Sequence, residues 1–433
     1  MTTRRGFLKL TGQAALGLAG ARTLPSGAAT NEGRTARDSQ SSPPVVTTGN
    51  IRNISGKKGD GSDYVMRDVD PCPDKSCIYY QSTGNGMLGI FDWCGGDYVP
   101  DETDPGHGFF GITGFGHDSG YANIFPIFST RAGHWLPVNT PYPAGRNTTF
   151  DEWGNWDGKT GQMATGHSYG HIRPLPKSLG GGEKGSFVVL KGAAVGRAAG
   201  TFDATHRFDI ATNKFSLFAG HLDHGPNTQP QTPCAFDRTG GLYLQVSGMG
   251  AYVNVLDPRS PADIATRHGK VRRWKEKRIG SVPNWQWAKM AEYVPWLKML
   301  IVLHQRDAAG SELWACKPYD DNPNWVNLGP LPLDTGLQWG APSLTVCPPK
   351  KAIAMYRGLG MRNVFWVDVG DRFGAKCKLA GTEVFGGDAP AWKLGTNGVD
   401  AIYNRFAWVP ERRAFMFLDG VDSPVQEFHP TGV

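Results

Sequence analysis

From residue 234 to the C-terminus the chain repeats one phrase: a short apolar strand, a tight turn, then a second, strongly hydrophobic strand. The phrase runs from 234–237 to 242–246, from 290–295 to 299–304, from 343–348 to 352–356 and from 406–410 to 414–418, with successive starts 56, 53 and 63 residues apart. Two earlier copies run from 78–81 to 87–93 and from 171–176 to 186–191. Further strand-like runs lie between the copies at 124–129, 205–217, 252–256, 313–317 and 364–369, and 206–215 reads as a second hairpin. Two hairpins per repeat make a four-stranded sheet, which cannot bury both of its faces alone. Stacking such sheets around an axis supplies the missing partner for each face. The expected fold is therefore all-β: a six- or seven-bladed β-propeller of four-stranded antiparallel blades. The long interval between the first two copies holds either a loop-rich insertion or a further blade. A β-sandwich followed by a second β domain is the alternative, and the even spacing up to the C-terminus argues against it.

Composition agrees. The 58 Gly and 31 Pro supply turns without a collagen period, and 14 Trp, 21 Phe and 13 Tyr sit among them rather than in Leu/Ala/Glu-rich helical runs. With 19% charged residues, charge-dominated disorder is excluded. After the first thirty residues no apolar run is long enough to span a bilayer, so no membrane span is expected in the mature chain.

The N-terminus reads as an address. Thr3-Arg4-Arg5-Gly6-Phe7-Leu8-Lys9-Leu10, followed by the mildly apolar stretch 14–21, resembles a twin-arginine export signal. Residues 1–21 are expected to be the signal peptide, with a second candidate cut near residue 29. Residues 22–45 form a Ser/Thr/Gly/Arg-rich linker, and 46–433 a single propeller in the periplasm or outside the cell. Removing residues 1–21 takes away Arg4, Arg5 and Lys9 and lowers the formal charge from +6 to +3, too little to argue for a nucleic-acid partner. Seven cysteines are an odd count for an oxidising compartment. Cys72 and Cys77 are close enough for a local disulfide, while Cys234, Cys316 and Cys347 fall in apolar runs that suit buried, inert thiols.

Several phrases carry a family resemblance. Gly116-His117-Asp118-Ser119-Gly120-Tyr121-Ala122-Asn123, then Phe125 and Phe128-Ser129-Thr130-Arg131-Ala132-Gly133-His134-Trp135, resemble a bacterial kelch-type blade. His167-Ser168-Tyr169, Pro233-Cys234-Ala235-Phe236-Asp237 and Asn404-Arg405-Phe406-Ala407-Trp408-Val409-Pro410 look like later blades of the same group. Over roughly residues 77–430 the chain is similar to the kelch-like propellers grouped with the galactose oxidase central domain, although its second and fourth blades lack the paired glycines of that pattern. The resemblance implies architecture. The group is functionally diverse, so activity has to be argued from a site.

In a propeller the first strand of each blade lines the central channel, so residues just before the inner strands converge at one mouth. That rule collects His167, Tyr169 and His171, then Gln231, then Trp285, Gln286 and Lys289, then Gln338 and Trp339, and finally Tyr403, Asn404 and Arg405. Aromatic faces stack on sugar rings, and amides and guanidinium groups match hydroxyls and carboxylates. The expected partner is a polysaccharide or other glycan. The first reading is a polysaccharide lyase acting on a uronate-containing glycan. His167 or Tyr169 would abstract the proton alpha to the carboxylate, and Arg405 would neutralise the acid with Gln231 or Asn404 beside it. The alternative is a non-catalytic propeller binding a glycan or protein, with the Gly/Pro/aromatic insertion at 97–147 as its recognition loop. A metal-dependent oxidoreductase is a third reading. His167 with His171, His221 with His224, and His107 with His117 offer scattered candidate ligands, but no metal is assigned and no cofactor is named. Asp97, Asp101, Glu102 and Asp104 read as a solvated or calcium-chelating acidic loop. HExxH and P-loop motifs do not occur, and no G-x-S-x-G or G-x-G-x-x-G stands in a strand-turn-helix setting, so serine hydrolases, zincins and nucleotide enzymes are disfavoured.

Overall fold

Strands that are apolar along their whole length must be covered on both faces. The computed structural model shows how this chain covers them. It describes residues 45–72, 94–113, 124–139, 168–190, 193–194, 200–201, 204–220, 233–247, 251–280, 290–306, 310–331, 342–358, 361–386 and 402–433, all within the unit Pro44–Val433. The expected signal peptide and the first repeat copy at 78–93 lie outside the described residues.

The chain enters through β1 (Val45–Asn53). A four-stranded antiparallel sheet follows, formed by β2 (Gly95–Pro100), β3 (Gly108–Thr113), β4 (Ile127–Ser129) and β5 (His134–Trp135). This sheet occupies the interval where an insertion or another blade was open, so the recognition loop expected at 97–147 is corrected over the described residues 97–113 and 124–135, which are largely blade. The next sheet orders β6 (Ile172–Leu175), β7 (Ser186–Val189), β10 (Ala204–Asp209) and β11 (Lys214–Gly220), with a two-residue pair, β8 (Ala193–Ala194) and β9 (Gly200–Thr201), inserted. Then come β12 (Cys234–Asp237), β13 (Leu242–Ser247), β14 (Tyr252–Leu256) and β17 (Lys275–Arg278). The hairpin β15 (Ile264–Thr266) and β16 (Gly269–Arg273) lies between the last two in sequence and joins the edge of β11. A fourth sheet holds β18 (Met290–Val294), β19 (Met299–Arg306), β20 (Gly310–Cys316) and β21 (Val326–Pro330).

The remaining strands are β22 (Thr345–Cys347), β23 (Ala352–Tyr356), β24 (Asn363–Asp368), β25 (Lys378–Gly386), β26 (Phe406–Val409), β27 (Ala414–Phe417) and β28 (Gln426–His429). They join β1 in one eight-stranded sheet, ordered β22-β23-β24-β25-β1-β28-β27-β26. β1 is the seam: it runs parallel to β25, with Val45 opposite Gly381, and antiparallel to β28, with Ile51 opposite Phe428. Helix among the described residues is confined to single 3-10 turns of three or four residues.

The packing forms a cycle. The period-2 alternation of a strand sends neighbouring residues to opposite faces, so Tyr98 and Phe110 face one way while Val99 and Phe109 face the other. Tyr98 and Phe110 pack with Met416 and Leu418, and Val99 and Phe109 with Phe187 and Phe208. The β6 sheet next meets the β12 sheet through Leu175, Val188, Phe236 and Tyr243. The β12 sheet meets the β18 sheet through Leu244, Val253, Leu300 and Val302. The β18 sheet meets β22–β25 through Met299, Ile301, Ile353 and Met355. Tyr356 and Trp366 then meet Phe406, Phe415 and Phe428 of the last strands. Each face of each sheet thus has a neighbour, and β26 closes the cycle against β2. The arrangement is propeller-like and all-β. It explains why the inner strands β12, β18, β22 and β26 are buried at every residue while the outer strand β25 alternates.

Candidate functional site

Two turns of the same form lead into β6 and β26. In each, a tyrosine three residues before the strand adopts a left-handed backbone, with φ 40° at Tyr169 and 46° at Tyr403. The amide two residues on donates back across the turn, from His171 to the Ser168 carbonyl (2.7 Å) and from Arg405 to the Ile402 carbonyl (3.0 Å). Left-handed backbone is uncommon for a residue with a Cβ. Here it turns the two phenol rings edge-on to one another, 5.4 Å between centroids, with His171 5.9 Å from Tyr169.

Both turns converge on the start of β2. The Gly95 amide donates to Ser168 Oγ (2.9 Å), which donates to the Thr113 carbonyl. The Gly96 amide donates to Asn404 Oδ1 (3.1 Å), and Asn404 Nδ2 donates to the Ile172 carbonyl (2.7 Å). Arg405 Nη1 donates to the Cys94 carbonyl (2.9 Å). Only glycine fits at residue 95, where a Cβ would stand 1.8 Å from the Tyr169 carbonyl oxygen and 2.1 Å from Asn404 Oδ1. Tyr169, His171, Tyr403, Asn404 and Arg405 are brought together as a buried floor. The other candidates, His167, Gln231, Trp285, Gln286, Lys289, Gln338 and Trp339, lie outside the described residues.

Toward the C-terminal ends of the inner strands a cavity of about 320 Å³ opens, and the sequence reading missed it. Its centre is Arg173 on β6, whose planar guanidinium ties together elements of four sheets. Nη2 donates to the carbonyls of Cys234 (2.6 Å) and Ala291 (2.9 Å). Nη1 donates to Glu292 Oε2 (3.1 Å) and lies 3.6 Å from Asp97 Oδ2. Arg238 Nη2 holds the other Asp97 oxygen at 3.1 Å. Burial pushes the Glu292 carboxyl above the usual range, against the pull of Arg173, and the neighbouring Asp97 adds to the rise. Phe236, Tyr293 and Trp408 form walls, Pro295, Pro348, Pro349 and Pro410 a rigid rim, and Asn404 links the cavity to the floor.

Asp97 thus corrects the acidic-loop reading, because it is a buried strand residue. The other three acids of that run each have a partner in the fold. Asp101 caps its own turn at Thr103, Glu102 accepts from Ser178, and Asp104 pairs with Arg131 at 2.6 Å. Arg173 left one faint sign in the sequence: a cation inside a strand otherwise buried throughout.

Cys72 is disulfide-bonded, with its partner outside the described residues. Cys94, Cys234, Cys316 and Cys347 are buried cysteines outside any disulfide, and burial pushes the Cys347 thiol up to about 11. Among the described residues no group of three His, Cys, Asp or Glu is placed to hold a metal. None of their helices is long and apolar enough to cross a membrane.

No protein-family model and no curated sequence matches the chain. Solved structures do, at 10% identity. One is a chain of the mitotic checkpoint complex, with 95% of this chain and 99% of that one covered at a TM-score of 0.39. Another is an alpha-L-arabinanase of Penicillium chrysogenum complexed with arabinobiose, with 77% and 92% covered at 0.38. A protein of unknown function from Dyadobacter fermentans has 79% and 95% covered at 0.42. Likeness at this level says nothing of activity.

Proposed function

We propose that this chain is an exported, kelch-like, six-bladed β-propeller that binds a glycan at the mouth formed by the residues preceding its inner strands. The count of six takes β22–β25 as one blade and β26–β28 with β1 as another. The supporting observation is the convergence of the Tyr169 and Tyr403 turns on Gly95 and Gly96, which builds a rigid floor from three neighbouring blades. His167, Gln231, Trp285, Gln286, Lys289, Gln338 and Trp339 precede β6, β12, β18 and β22 in sequence and would supply the ring-stacking and hydroxyl-binding groups above it. A glycan array read with wild type and Trp285→Ala tests this. Binding to a defined glycan, lost in the variant, is expected; an array without any bound glycan overturns it.

The second reading is a lyase acting on uronate-containing polysaccharide. Tyr169 and Arg405 are both engaged in the floor, so proton abstraction would fall to His167. Absorbance of unsaturated products across a uronate-polysaccharide panel, abolished by His167→Ala, would establish this activity. Absence of product leaves the binding reading alone.

A further inference from the structure

The cavity around Arg173 is a candidate binding site separate from the glycan mouth. Three arginines, Arg173, Arg238 and Arg413, and two acids, Asp97 and Glu292, line it. Both carboxylates are spent within the protein, because Arg173 holds Glu292 and shares Asp97 with Arg238. Arg413 makes no side-chain ion pair or hydrogen bond among the described residues. It is carried on the turn after β26 with φ 50°, where the backbone is fixed by its amide donating to the Pro410 carbonyl (3.2 Å). The lining therefore has an excess of one positive charge. Arg238 has a side-chain exposure of 35%, so a solute can reach the edge of the network.

The apolar share of the lining sets the rest of the ligand. Trp408 and Tyr293 present ring surface, and the rim prolines cannot move aside. A volume of about 320 Å³ suits one six-membered ring with substituents and no polymer. A planar carboxylate is the anion that a guanidinium engages with two parallel hydrogen bonds. We infer that this end of the channel binds a small ring-bearing monocarboxylate, its carboxylate on Arg413 and Arg238 and its ring against Trp408. Arg173 is a positioning residue: it holds Asp97, which in turn fixes the Arg238 fork. The inference does not depend on the glycan reading.

The test is titration calorimetry of the whole mature protein with galacturonate and with benzoate, using galactose and inorganic phosphate as controls, on wild type and Arg413→Gln. Expected is saturable binding of at least one carboxylate, no binding of either control, and at least a roughly tenfold weaker Kd in the variant at an unchanged Tm. Galacturonate alone would identify a sugar acid, and benzoate alone an aromatic acid. Absence of both, binding of galactose or phosphate equal to that of the carboxylates, or an unchanged Kd in Arg413→Gln overturns the site. Arg238→Gln gives an independent variant should Arg413→Gln fail to fold.

Discussion

At the scale of single residues, the consequential groups are charges that the fold has taken out of water. Arg173 is the clearest: its removal would strand Glu292, leave Asp97 to Arg238 alone among cations, and take this donor from the Cys234 and Ala291 carbonyls. Breaking a buried pair from one side costs about 3–5 kcal/mol. Arg173→Leu is accordingly expected to lower stability by that much in urea unfolding, and Arg173→Lys to recover little of it, because an ammonium cannot serve two carbonyls and two carboxylates from one plane. Asp419 gives a pH signature. Burial raises its carboxyl from 3.8 to about 7, against the opposing hydrogen bond from Tyr356 and the charge of Arg405. The folded state keeps this proton up to about pH 7, whereas the unfolded chain releases it near 3.8. Folding therefore takes up a proton between those values, and the contribution, roughly 4 kcal/mol, is full below pH 3.8 and lost as pH rises through 7. Asp419→Asn is expected to remove that downward slope from the melting temperature between pH 4 and 7; an unchanged slope would refute the assignment.

At the scale of elements, the turns after the inner strands repeat a device. Lys298, Lys351 and Arg413 each end such a turn in left-handed backbone, at φ 50°, 48° and 50°. Lys298 and Lys351 are exposed, so Lys351→Gly should relieve the strain at no packing cost and stabilise by about 1 kcal/mol, readable as a higher urea midpoint. Five inner hairpins could be read from hydrophobic pattern, and β12–β13, β18–β19, β22–β23 and β26–β27 lie within two residues of the expected runs. Of the β2–β5 sheet, only the run at 124–129 that holds β4 was legible in this way, and the β2–β3 hairpin was not. Its strands carry Gly95, Gly96, Gly108, Gly111 and Pro100. Those glycines answer to close approach: at Gly111 a Cβ would come within 2.6 Å of the Phe187 ring. What lets this blade pack therefore erases its strand signature. Gly95→Ala, pressed against the Tyr169 backbone, is expected to cost several kcal/mol or abolish soluble expression, measured by thermal unfolding.

At the scale of the whole molecule, β1 decides cooperativity. Among the described residues it is the strand whose ladders join the last two groups of strands, and its partners lie more than 300 residues away in sequence. Deleting residues 45–53 exposes the edges of β25 and β28 at once. The expected result is loss of the cooperative melt and rapid proteolysis near the C-terminal strands; a truncated protein that melts like the full chain would remove β1 from this role. That the chain is all-β, that hairpins recur along it, and that polar and aromatic residues gather before the inner strands was legible from the residues alone, because turn chemistry and two-residue alternation are local. Three matters were left to the tertiary structure: that Tyr169 and Arg405 are buried braces, that Asp97 is a core acid, and that Arg173 stands at the centre of a cavity. Each depends on which strands end up side by side around the axis, and such non-local pairings leave no periodic trace in the residues that make them.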